Sequence, residues 1–113
     1  MMQSHAHRVA KLARAALLEW NGGEAELWKY GKAHREITLR VSGEEASGCL
    51  LVYCGDVVKY CGPLKWGSCD LNVRAETDHV SGEVSYYVTD EGAGVLVVCS
   101  VVETKKMQER YPD

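Results

Sequence analysis

The first apolar positions of the chain recur with a helical period. Val9, Leu12, Ala13, Ala16, Leu17 and Trp20 fall at i, i+3, i+4, i+7, i+8 and i+11, which is one face of a helix. Ser4 offers an N-cap oxygen to the first free amides, and Asn21-Gly22-Gly23 is a stop, because glycine enters the left-handed region without a Cβ clash. The pattern predicts a helix over residues 4–21.

The period then falls to two. Residues 36–42 alternate, with Ile37, Leu39 and Val41 on one face and Thr38 and Arg40 on the other. Glu44 to Gly48 reads as a hairpin connection. Residues 49–54, CLLVYC, are apolar on both faces, as in a strand covered on each side. Gly55-Asp56 turns the chain into a strand at 57–61. Residues 69–76 alternate again, with Leu71, Val73 and Ala75 inward and Asp70, Asn72, Arg74 and Glu76 outward. A strand at 83–89 pairs back, and one at 95–103 closes the sheet before a charged, frayed tail. Residues 24–33 fit either a strand or more helix.

One helix followed by strands on short connections predicts a single α+β domain over residues 1–113. Its N-terminal amphipathic helix packs on a curved, mainly antiparallel sheet of five to seven strands. One helix covers only part of one sheet face, yet the strands at 49–54 and 95–102 are apolar on both. Either the sheet curls towards a barrel or a second copy packs there. A homo-oligomer, a dimer or higher, is the expectation.

The composition, 46% apolar and 26% charged over 113 residues, is that of an ordinary globular domain. Phenylalanine is absent, so aromatic volume comes from three tryptophans and six tyrosines. These rings suit half-buried faces. Trp20, Trp28, Tyr30, Tyr53, Tyr60 and Trp66 are therefore the candidate binding residues, as the centre of a protein interface or the lining of a helix–sheet pocket.

A net charge of −3 and a pI near 5.8 lack the basic footprint of a nucleic-acid binder. His5, His7, Arg8, Lys11 and Arg14 form a local basic cluster on the solvent side of the helix. Three of these charges interrupt any leader-type apolar run, and no stretch approaches a membrane span. The expectation is a cytoplasmic protein without nucleic-acid or membrane partners.

Cys49, Cys54, Cys61, Cys69 and Cys99 show no CxxC spacing and read as free thiols. A thiol nucleophile would draw on Cys54, Cys61 or Cys69, with His34 or His79 as base and Asp56, Asp70 or Asp78 behind it. Nothing in the sequence brings these together. Cys61 and Cys69 are too far apart for a zinc loop, and His5-Ala6-His7 is a weak adventitious binder, so no metal is expected. Glu44-Glu45 and Asp90-Glu91 read as solvated turn residues. Asp90 to Gly94 lacks the lysine and hydroxyl of a phosphate loop. No catalytic residue and no cofactor are predicted.

The densest stretch is Tyr60 to Asp70, YCGPLKWGSCD. Gly62-Pro63 punctuates the backbone, Gly67 permits a turn, and Trp66 plugs the corner. The longer run LLVYCGDVVKYCGPLKWGSCDLNV resembles small uncharacterised bacterial proteins of the kind carried on integron gene cassettes. The resemblance rests on the corner formed by Gly62, Pro63 and Trp66. It implies an accessory role and carries over no catalytic residue. The sequence thus reads as a non-enzymatic, self-associating accessory module for a protein partner. A small-molecule-binding protein and a thiol-dependent enzyme built on Cys61 or Cys69 are the alternatives.

Overall fold

A computed structural model describes residues 4–43 and 48–107; Glu44 to Ser47 of the expected connection, and the last six residues of the expected tail, lie outside them. The helix α1 spans His5–Leu18, and Ser4 Oγ accepts the His7 amide at 3.2 Å. It ends short of residue 21. The Trp20 and Asn21 amides donate to Leu17 O and Leu18 O, at 3.0 and 3.4 Å, tightening the last turn before Gly22 takes φ +91°. Trp20 still faces the core.

Among the described residues nine strands follow: β1 Glu24–Gly31, β2 Glu36–Ser42, β3 Cys49–Gly55, β4 Lys59–Cys61, β5 Lys65–Trp66, β6 Asn72–Thr77, β7 Val84–Asp90, β8 Val95–Cys99 and β9 Val101–Met107. Residues 24–31 are strand because they pair antiparallel with β2, Glu24 opposite Ser42 and Gly31 opposite Glu36. Residues 57–58 and 69–71, expected as strand, are connections.

The protein is α+β, and its strands are divided between two antiparallel sheets. One has the order β5-β1-β2-β3-β9 and the other β4-β8-β7-β6. The division comes from a break at Ser100 inside what reads as one strand. Val95, Val97 and Cys99 are buried, and the next buried position is Val102, so the inward parity flips across the break. Ser100 N–H donates to Gly55 O at 3.0 Å, turning the chain from β8 in one sheet into β9 in the other.

Both sheets turn their buried faces to a common core. Ile37, Leu39, Val41, Leu50, Val52 and Cys54 meet Val73, Tyr86, Val88, Val95, Val97 and Cys99. The helix closes the side against β6 and β9 with Ala6, Ala10, Ala13 and Leu17, small residues that let it lie close. The chain's own two sheets thus cover each other's inner rows, those of β3 and β8 included. Their other apolar rows, Leu51 and Tyr53 on β3 and Leu96 and Val98 on β8, lie half-buried on the outside.

The segment after α1 is tied to the corner after β5. Gly22 N–H donates to Cys69 O at 2.8 Å and Cys69 N–H to Gly23 O at 2.9 Å. A Cβ on Gly23 would fall 2.0 Å from Ser42 O, so only glycine fits.

Candidate functional site

The outward face of the five-stranded sheet gathers aromatic and charged side chains into paired rows. Glu26, Arg40, Leu51 and Lys105 are opposite one another across β1, β2, β3 and β9. Lys29, Thr38, Tyr53 and Glu103 form the next row. The β1–β2 register shifts between Leu27 and Lys29, so Trp28 is the extra residue of a bulge. Lys29 Nζ lies 4.3 Å from the Trp28 ring centroid and Arg40 Cζ 5.6 Å from it. Arg40 in turn donates through Nε to Glu26 Oε1 at 2.7 Å, with Nη2 on the same oxygen. In the next row, Tyr53 O–H donates to Glu36 Oε1 at 2.6 Å. That hydrogen bond to a carboxylate, with some burial, pushes the Tyr53 phenol up to about 12.

Of the six candidate aromatics, this face holds Trp28 and Tyr53. Trp20 and Trp66 are core residues. Tyr60 is half-buried; its hydroxyl donates to Pro63 O at 2.6 Å, and burial pushes its pKa up. Tyr30 stands 61% exposed near the end of β1. A separate cleft of about 440 Å³ opens beside the end of α1, lined by Arg14, Leu18, Asp70, Leu71, Asn72, Thr89 and Glu91. None of the six aromatics borders it.

Asp90 is the residue that sequence reasoning misplaced. It is 2% exposed, whereas its neighbour Glu91 is exposed as a turn residue should be. Asp90 Oδ2 accepts Trp66 Nε1–H and the Asp70 amide, both at 2.8 Å, and Oδ1 accepts the Ala93 amide at 3.3 Å. Three donors satisfy this buried carboxylate, which forms no ion pair among the described residues. Two signals pointed there: a core indole needs an acceptor, and Asp90 continues the inward parity of Tyr86 and Val88.

The five thiols differ in exposure and in surroundings. Cys54 and Cys99 face each other from the two sheets and share a hydrogen bond; that bond and burial push Cys54 far up, leaving Cys99 the more acidic of the two. Burial, then the neighbouring Asp90 carboxylate, raises Cys69, whose Sγ lies 3.6 Å from Trp20 O. Burial also raises Cys49, against the nearby Arg40 charge. Cys61 is exposed, and His34 and His79 are exposed in turns. Among the described residues no hydrogen bond joins a cysteine to a histidine, and no group of three or more His, Cys, Asp or Glu could hold a metal.

No family model, no curated protein and no solved structure matches this chain.

Proposed function

We propose that the protein is a non-enzymatic accessory module that binds a protein partner through the outward face of its five-stranded sheet, and that it self-associates. The observation carrying the reading is Trp28, set in a bulge on that face with Lys29 and Arg40 against its ring and Tyr53 and Leu51 on β3. Tryptophan, tyrosine and arginine dominate the energetic centres of interfaces. Here the Glu26 and Glu36 carboxylates hold Arg40 and Tyr53 in place, so little rotamer freedom is left to lose on binding. The raised thiols of Cys49, Cys54 and Cys69 support a role without thiol catalysis at those three positions. We place the protein in the cytoplasm, where free thiols stay reduced; among the described residues no helix is long and apolar enough to cross a membrane.

The test is comparative capture from an extract of the producing cells, followed by affinity measurement with the purified partner. Trp28→Ala should weaken binding about thirtyfold, the scale of a hot-spot truncation. The reading fails if the wild-type protein retains nothing that the variant does not, or if affinity is unchanged.

A second reading is favoured by the cleft at Arg14, Asp70 and Glu91, whose mixed charges suit a small polar ligand. A ligand that raises the melting temperature of the wild type but not of Arg14→Met would establish it.

A further inference from the structure

We infer that β9 pairs with the β9 of a second copy of this chain, antiparallel about a two-fold axis at Thr104, joining the two five-stranded sheets into one. The inference rests on the self-association in the proposed function, and it uses the free edge of the sheet whose outward face is the proposed partner site.

The other sheet edges are guarded. β5 has two residues, and β4 has three and runs into Gly62-Pro63. At β6, α1 packs against the strand and Arg14 donates to Val73 O at 2.7 Å, taking up one of its carbonyls. β9 is seven residues long, and among the described residues it has a strand neighbour on the β3 side alone. Beside its outer edge lies a groove of about 290 Å³, lined by Val9, Leu12 and Ala13 of α1 and by Val102, Glu103 and Thr104. Leu12 is 71% exposed there.

The charge pattern of β9 selects the occupant and the register. The strand reads Val101-Val102-Glu103-Thr104-Lys105-Lys106-Met107, with Glu103 and Lys105 on the outward face beside Tyr53 and Leu51. A two-fold axis that extends a sheet sets residues of the same face opposite each other, so it must pass through a residue. An axis at Glu103 sets two carboxylates together, and one at Lys105 two ammonium groups. An axis at Thr104 places Glu103 opposite the partner's Lys105 and Lys105 opposite the partner's Glu103. It also sets Val101 against the partner's Met107 and engages the whole strand. Opposite charges and apolar pairs directly across from one another are the stabilising cross-strand combinations. On the inner face the lysine stem at 106 crosses the partner's Val102, and the added strand covers Leu12. The self-complementary pattern is what an isologous interface requires.

Sedimentation velocity across the micromolar range tests this, with circular dichroism confirming the fold of each variant. Wild type should reach twice 12.5 kDa. Glu103→Lys and Lys105→Glu each turn two attractive pairs into two repulsive ones, and each should weaken the dimer about tenfold or more. The double variant exchanges the charges and should restore it. A monomer at every concentration overturns both the strand pairing and self-association; its lysines would then guard the edge. A dimer indifferent to both single substitutions overturns the β9 pairing and leaves self-association standing.

Discussion

Trp66 Nε1 donates to Asp90 Oδ2 at 2.8 Å inside the core, and this bond fastens the corner after β5 to the end of β7. The same oxygen holds the Asp70 amide, so one carboxylate oxygen fixes both ends of the turn that carries the chain from one sheet to the other. Removing the acceptor should therefore cost more than removing one donor. Asp90→Ala strands three donors and should destabilise by about 3 kcal/mol, against about 1–2 kcal/mol for Trp66→Phe, which leaves two of the bonds intact. Urea denaturation measures both. Equal or inverted losses would refute the role given to Asp90.

The approach of Gly23 to Ser42 makes a second, sharper prediction. Ser42 O, Ser42 C and Gly43 Cα all lie within 3.2 Å of a Cβ built on Gly23, and backbone atoms yield poorly. Gly23→Ala should cost about 3 kcal/mol or more. At Gly22 the space is open and only the left-handed φ of +91° resists a side chain, so Gly22→Ala should cost about 1–2 kcal/mol. Thermal melts of the two variants settle the order.

Native alkylation should count one cysteine. Cys61 is exposed, and the other four are buried. Brief treatment with iodoacetamide should add a single carbamidomethyl group, mapped to Cys61, with the rest following only on denaturation. Fast modification of Cys69 would revive thiol chemistry at the corner.

The Tyr53–Glu36 hydrogen bond has an alkaline signature. A phenol raised from 10.0 to about 12 keeps its proton longer in the folded state than in the unfolded chain. Its contribution to stability is whole below pH 10 and is lost as the pH rises through about 12. Ultraviolet titration at the phenolate band should show a late-titrating tyrosine that Tyr53→Phe removes and Glu36→Gln shifts to lower pH. Loss of an ordinary phenol titrating near 10 in Tyr53→Phe, with no shift in Glu36→Gln, would show that the bond does not persist in solution.

The spacing of Val9, Leu12, Ala13 and Leu17 marked the helix, and Ser4 its start, because the amphipathic period and the N-cap are local properties of a few neighbouring residues. The alternation of Ile37, Leu39 and Val41 marked β2 for the same reason. Antiparallel order and the α+β class followed from short connections. What the chain could not show locally was the break at Ser100: in VLVVCSVVE every position but the serine and the final glutamate is apolar, so a flip of inward parity leaves no trace. Only the pairing of β8 with β7, and of β9 with β3, assigns the two halves to different sheets. Asp90 illustrates the same limit. Its carboxylate is tolerable in the core because an indole 24 residues away and two turn amides converge on it, and that convergence exists only in the folded chain. The Trp28 face is likewise a tertiary product, since the bulge in β1 and the arginine of β2 that meets the ring become neighbours only when the strands pair.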